Sequence, residues 1–212
     1  MTTAIIGLGN IGSRLARHLA AGGAQIIVAE RTPAKAQSLA AELGKSVTAL
    51  PMDDAVAQAK VVILAITFDA IKQFVGAHRD ALVAKIVVDP SNPIAPDGKG
   101  GFSKIIPAEQ SSGQIIAGLL PKGAMLVKAF GTLGADSLGS GANRTPERAV
   151  LFYATDNPEA GHVVAQLIAA SGFSPVSVGG IDQSIRIEVG GDLHEFGKVG
   201  RLVSAKEAQS LV

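Results

Sequence analysis

Gly7-Leu8-Gly9-Asn10-Ile11-Gly12 decides how the remainder of this 212-residue chain is read. An apolar strand pattern, Thr3–Ile6, runs straight into it. Ile11, Leu15 and Leu19 leave it at i, i+4 and i+8, one face of a helix. A G-x-G-x-x-G pattern alone is weak. Between a strand and a helix, with an acidic residue (Glu30) closing the next strand pattern at the expected distance, it is the fingerprint of a loop that holds a dinucleotide pyrophosphate. Gly7 permits the tight turn, Gly9 lets the backbone approach the phosphates, and Gly12 lets helix and strand pack closely. The bare N–H groups and the positive helix end then face the anion.

Outward from this loop, short apolar, β-branched runs alternate with helical patterns. Strands are expected at Thr3–Ile6, Gln25–Glu30, Val47–Leu50, Val61–Ile66, Lys85–Asp89, Met125–Ala129, Val150–Ala154 and Pro175–Val178. Further helices are expected at Pro33–Leu43, with Thr32 as N-cap, and at Asp69–His78, Ser111–Leu120 and Glu159–Ser171. Such alternation implies right-handed crossovers and an α/β fold: a doubly wound, mostly parallel Rossmann sheet with a small C-terminal extension. The expected division is an NAD(P)-binding domain over 1–145 and an α/β extension over 146–212 that packs on it. Pro90–Lys104, Gly131–Arg148 and Gly190–Gly200 break the rhythm and read as long irregular loops.

Composition removes whole classes of function. Nineteen basic and 18 acidic residues leave a net charge of +1, so no basic field exists to hold nucleic acid. Seven Phe, one Tyr and no Trp are too few to stack bases along a groove. The absence of cysteine removes disulfides, thiolate metal sites and cysteine nucleophiles. No His, Asp and Glu grouping has metal-ligand spacing. Apolar runs such as Val61–Ile66 are far too short for a membrane span, and no basic leader precedes the first strand. A cytoplasmic protein without nucleic-acid or membrane partners is expected; its low charge is compatible with a homo-oligomer, a dimer.

The end of the second strand bears on the nucleotide. Glu30 favours the ribose hydroxyls of NAD, whereas Arg31, Thr32 and Lys35 suit the 2′-phosphate of NADP. A carboxylate about 5 Å from a phosphate costs on the order of 3 kcal/mol at an effective dielectric near 20, so the direction of the Glu30 side chain decides. Three groups favour NADP against one for NAD, and NADP is the expected cofactor, with NAD as the alternative.

Four further motifs follow in order: Lys85-Ile-Val-Val-Asp-Pro-Ser-Asn-Pro93; Leu120-Pro121 before Leu126-Val-Lys-Ala-Phe-Gly-Thr132; Ala154-Thr-Asp-Asn-Pro-Glu-Ala160; and Ser171-Gly-Phe-Ser-Pro-Val176. With the glycine loop they resemble the deazaflavin (coenzyme F-420)-dependent NADP reductase family, and are similar also to the oxidoreductase domain of the six-transmembrane epithelial antigen metalloreductases. The resemblance spans residues 1–190. It implies hydride exchange between NADPH and a deazaflavin or flavin as co-substrate. It implies pyrophosphate contacts at Leu8, Gly9, Asn10 and Ile11, and 2′-phosphate contacts at Arg31, Thr32 and Lys35. It further implies that the turn Ala65-Ile66-Thr67 passes under the cofactor and that Asn92, Ala129 and Phe130 border the nicotinamide. Two departures stand out: Glu30 where the family has Ser or Asn, and Gly131 where it often has Asn.

No acid–base constellation is present, which suits a reaction in which two bound rings carry the chemistry and protein aligns them. No residue is therefore assigned a catalytic role. The expected function is NAD(P)H-dependent hydride transfer to a deazaflavin, flavin or other small acceptor. A non-catalytic dinucleotide sensor, or a reductase of small carbonyl or imine compounds using Lys128 or His194 as proton donor, are the alternatives. Lys128 reads as a structural cation, Asp89 as a loop anchor, and His194, framed by glycines, as a residue of a surface loop. Phe102, Phe130 and Phe196 are the aromatics best placed to face a ring, although each such residue is more often plain packing.

Overall fold

A computed structural model describes residues 1–212. The chain runs β1 (Thr3–Ile6), α1 (Asn10–Ala21), β2 (Ile26–Ala29), α2 (Pro33–Leu43), β3 (Val47–Ala49), α3 (Met52–Gln58), β4 (Val61–Leu64), α4 (Phe68–Ala77) and β5 (Ile86–Asp89). A ribbon of β6 (Ile94–Pro96) and β7 (Phe102–Lys104) follows, then α5 (Ser112–Leu119), β8 (Met125–Ala129), α6 (Ala135–Ser140), β9 (Val150–Ala154), α7 (Pro158–Ala170), β10 (Ser174–Ser177) and two single-turn helices, α8 (Ser184–Ile187) and α9 (Ala205–Ala208).

Eight strands form one sheet in the order β10-β9-β8-β5-β4-β1-β2-β3. Six neighbouring strands, β3 to β8 in that order, run parallel; β9 pairs antiparallel with β8 (Lys128 opposite Ala154), and β10 runs parallel to β9. The chain winds outward from β1 to β3, returns to β4 beside β1 and winds the other way. The crevice at the carboxyl ends of β1 and β4 is thus the switch point at which such sheets bind ligands.

The central strands are buried on both faces, which is why they read as unbroken apolar runs. Successive residues serve opposite cores. Ile5, Val61 and Ile63 pack on one side with Leu15, Leu19 and Ile168; Ala4, Ile6, Val62 and Leu64 pack on the other with Ile71, Phe74 and Ile116. A third cluster covers the remaining side of β9: Val150, Phe152 and Ala154 pack against Ile187, Leu193, Val203 and Ala208. The C-terminal residues therefore supply the apolar cover for the strand that reverses direction.

The irregular reading of two segments needs correction. Pro90–Lys104 contains the β6–β7 ribbon, whose turn is held by Asp97: its Oδ1 accepts the N–H groups of Lys99 (2.7 Å) and Gly101 (2.9 Å). Gly131–Arg148 contains α6. Pro96 is tolerated in β6 because a two-stranded ribbon has edges without neighbours.

Candidate dinucleotide site

The glycine loop has the geometry that a phosphate site needs. Gly7 has φ +91°, and a Cβ there would stand 2.6 Å from the carbonyl oxygen of Ala65; a Cβ on Gly12 would overlap the carbonyl oxygen of Gly7. Both glycines are thus demanded by the fold. Gly9 is different. It has φ −72°, and a Cβ there would meet no atom within 4 Å. Nothing inside the protein requires a glycine at this position, and the space that it leaves opens outward.

Gly9 is the N-cap of α1, and no side chain caps this helix or places an acidic group in its first turn. The N–H groups of Gly9, Asn10, Ile11 and Gly12 have no partner in the protein. Leu8 is buried, and its N–H is taken by Glu30 Oε2 at 2.9 Å. Ala65 and Ile66 line the other side of the turn, with Ile66 Cγ2 against Gly7, and Thr67 follows them as the N-cap of α4.

Glu30 settles its own direction. Its second oxygen accepts the Arg31 N–H at 2.8 Å, so the carboxylate turns back onto the loop backbone and braces Leu8. Burial raises its pKa, but the two amides and the charges of Lys35 and Arg31 outweigh that and hold it below the ordinary glutamate value. Lys35 Nζ lies 3.9 Å from Glu30 Oε2. The Arg31 guanidinium is exposed and makes no hydrogen bond or ion pair, and the Thr32 hydroxyl does not cap α2. A free guanidinium, a free hydroxyl and an ammonium therefore stand together at the end of β2, which is what a phosphate monoester needs.

Beyond β5 and β8 the site is built differently. Lys128 is 2% exposed and Asp89 fully buried. The Lys128 ammonium donates to Asp89 Oδ2 (2.7 Å), the Ser91 carbonyl (2.5 Å) and Ser112 Oγ (2.9 Å), so all three of its protons are engaged. Asp89 Oδ1 accepts the Ser91 N–H, the loop-anchoring role expected of it. Asn92 bridges two segments: its amide donates to the Gly131 carbonyl (2.9 Å) and its carbonyl accepts the Val189 N–H (2.7 Å). Ala129 and Phe130 are buried, and the Phe130 ring packs in the core with φ +65°.

Residues 188–197 form a strap across these strand ends. Glu188, 1% exposed, accepts the Ser111 hydroxyl (2.8 Å) and the N–H groups of Ser112 (3.0 Å) and Gly113 (2.9 Å), filling the N-terminus of α5. Glu195 accepts the Gly134 N–H at 2.6 Å and the Ser137 hydroxyl, while its own N–H donates to the Thr132 carbonyl. His194 needs correction: it is 1% exposed, not a surface residue. Its Nε2–H donates to the Gly131 carbonyl (2.9 Å) and its Nδ1 accepts the Phe196 N–H (2.9 Å). Burial, above all, holds its pKa below the usual imidazole value. Phe102 and Phe196, candidates for facing a ring or for plain packing, are 67% and 65% exposed and so are not packed in the core. Glu188, Glu195, Ser91 and Thr132 carry no local sequence signal; only Ser111, ahead of an apolar helix, reads as a cap.

No group of three or more His, Asp or Glu residues is placed to hold a metal ion, and no helix is long and apolar enough to cross a membrane.

Comparison with known proteins agrees with this geometry. Residues 2–93 match the family model described as NADP oxidoreductase, coenzyme F420-dependent. Metalloreductase STEAP3 of Rattus norvegicus is 29% identical over 184 residues, 87% of this chain but 35% of that protein, so the chain spans about a third of that relative. A hypothetical protein, SMa0349, from Sinorhizobium meliloti has a structure that superposes with a TM-score of 0.83 at 34% identity, covering 96% of this chain and 95% of that one. A putative F420-dependent NADP-reductase from Arthrobacter sp. FB24 shares the fold, with a TM-score of 0.75 and 23% identity over 87% of each chain. Residues 2–93, the part of the chain that carries the glycine loop, are thus similar to the coenzyme F420-dependent NADP oxidoreductases.

Proposed function

We propose that this protein binds NADPH across the carboxyl ends of β1 and β2 and passes hydride from it to a flavin-like or deazaflavin acceptor. The observation that carries this reading is the open Gly9 beside four unpartnered N–H groups at the start of α1. The first N–H groups of a helix have no intrahelical partner, and here they combine with an open glycine and a strand–turn–helix phosphate fingerprint that suits an external anion. The free Arg31 and Thr32 groups, with the exposed Lys35 ammonium 3.9 Å from Glu30, support the 2′-phosphate form over NAD. Glu30, turned onto the loop, braces the turn that presents the N–H groups.

When bound, the nicotinamide supplies or takes a hydride at its ring carbon. The chain's own residues bind and orient. Leu8, Gly9, Asn10 and Ile11 present the backbone to the pyrophosphate; Arg31, Thr32 and Lys35 fix the adenosine end; Ala65, Ile66 and Thr67 floor the turn. Asn92, Ala129 and Phe130 shape the far end. In this division, residues 1–145 carry the nucleotide and residues 146–212 close the acceptor side.

Reduction of a carbonyl or imine would also require a proton donor. The two side chains considered for that role have their donors engaged: Lys128 by three oxygens and His194 by Gly131. This supports an acceptor whose ring carries its own proton chemistry. The test is NADPH oxidation in the presence of deazaflavin, flavin and ferric acceptors. Expected is turnover with at least one flavin-like acceptor; tight NADPH binding with no turnover on any of them would favour a dinucleotide sensor instead.

A further inference from the structure

Around the ends of β5 and β8 almost every polar side chain is satisfied. Lys128 has all three donors engaged, Asp89 and Glu188 both carboxylate oxygens, His194 both ring nitrogens, and Asn92 one amide N–H and its oxygen. The backbone carbonyls of Ser91, Gly131 and Thr132 are engaged as well. Two groups are left over. Ser91 Oγ and Thr132 Oγ1 are closed off from solvent, on residues 7% and 2% exposed, and neither has a hydrogen-bond partner. An orphaned buried hydroxyl forfeits free energy, and two of them in an otherwise saturated network point to something that completes it.

Their position says what that is. Ser91 lies two residues beyond the end of β5 and Thr132 three beyond the end of β8; these strands are parallel neighbours, and the two loops are joined by the Asn92–Gly131 hydrogen bond. With the pyrophosphate on α1 and the adenosine on β2, the strand order leaves only the β4-β5-β8 side for the nicotinamide half. We propose that the Ser91 and Thr132 hydroxyls are the hooks for the carboxamide of the nicotinamide, one accepting from its NH2 and the other donating to its carbonyl. A hydroxyl both donates and accepts, so the pair matches a group with one donor end and one acceptor end. The strap, tied to Thr132 by Glu195, with Gly190 (φ +88°) near its start and Gly200 (φ +65°) just beyond its end, is the element that would yield to admit the ring.

This inference rests on the dinucleotide reading, and the test separates the two. NADPH and 2′-phospho-ADP-ribose, which lacks only the nicotinamide end, are titrated calorimetrically into the unmodified protein, Ser91→Ala, Thr132→Val and the double variant. Expected is a loss of NADPH affinity of several-fold in each single variant and of about tenfold or more in the double variant, a hydrogen bond being worth about 1 kcal/mol. Affinity for 2′-phospho-ADP-ribose stays unchanged. The melting temperature of the free variants stays level or rises, because an unsatisfied group has been removed. Unchanged NADPH affinity in the double variant overturns the assignment. So does an equal loss for both nucleotides, which marks a distorted fold, or a fall in melting temperature with NADPH affinity intact, which marks hydroxyls satisfied by ordered water. If the unmodified protein binds neither nucleotide, the pyrophosphate reading fails first and this one with it.

Discussion

Two helix N-termini in this molecule solve the same electrostatic problem in opposite ways. At α5, the protein supplies the anion itself: Glu188 arrives from 75 residues or more along the chain and takes the N–H groups of Ser112 and Gly113 together with the Ser111 hydroxyl, in a fully enclosed position. At α1, no acidic residue lies in the first turn and the Glu30 carboxylate takes only the Leu8 N–H ahead of the helix; the N-cap is a glycine with open space beside its Cα, and the N–H groups of Gly9, Asn10, Ile11 and Gly12 have no partner in the protein. Both ends carry the same partial positive charge. The difference sets a helix end that the protein neutralises from within against one that it leaves open to an outside anion. The open end of α1 is the one that we propose takes an external phosphate.

That contrast can be broken at either helix, and the largest effect is expected at α5. Glu188→Ala orphans three buried donors at once, at about 1–3 kcal/mol each, so a loss near 3 kcal/mol or more is expected. For a chain of this size that lowers the melting temperature by roughly 10 °C. Thermal unfolding followed by circular dichroism checks it; a shift within a degree or two would show that the strap is not held by Glu188.

The mirror experiment is Gly9→Val. Because a Cβ at this position meets no protein atom and φ is ordinary, stability should change by less than about 1 kcal/mol. NADPH affinity should fall by about a hundredfold or more, since the branched side chain fills the space through which the pyrophosphate reaches the amides. Unfolding of the variant, or undiminished binding, would remove the distinction between the two helix ends.

A smaller effect sharpens the identity of the ligand. Arg31→Ala should raise the NADPH dissociation constant about tenfold and leave that of NADH almost unchanged, because the free guanidinium has no other partner to lose. Equal changes for both nucleotides would contradict the 2′-phosphate role.

The smallest effect is a pH dependence on the strap side. Burial holds His194 below its ordinary pKa, so the folded protein favours the neutral ring. The unfolded chain protonates first as pH falls through about 6.5, so the contribution is complete above that value and is lost below it. The loss is at most about 1.4 kcal/mol per pH unit until the folded pKa is reached. His194→Gln keeps a donor for Gly131 without titrating. Melting temperatures measured from pH 7.5 to pH 5 should fall more steeply for the unmodified protein than for the variant; parallel curves would contradict the buried neutral imidazole.

The same two regions divide what was legible in the sequence. Strands β1, β8 and β9 and helix α2 lie where local patterns put them, to the residue, because their signals are contiguous: apolar runs buried on both faces, and a proline at the first helical position. The glycine loop is legible for the same reason; its strand, turn and helix are adjacent in the chain. Helix α3 escaped because it is seven residues long and follows Pro51, and the β6–β7 ribbon because its prolines and glycines read as loop. The strap is a long-range construction. His194 reaches Gly131 over 63 residues and Val189 reaches Asn92 over 97, so glycines that read as exposed loop instead allow close packing over the sheet. Lys128 and Asp89 could be read as structural, but nothing local announces that Ser112 completes the ammonium's shell.

The most direct measurement is a calorimetric titration of NADPH, and in parallel NADH, into the unmodified protein at neutral pH. Saturable binding of one NADPH per chain, about tenfold or more tighter than NADH, is the expected result. Absence of binding by either nucleotide would contradict the assignment of the open corner at Gly9 to a dinucleotide.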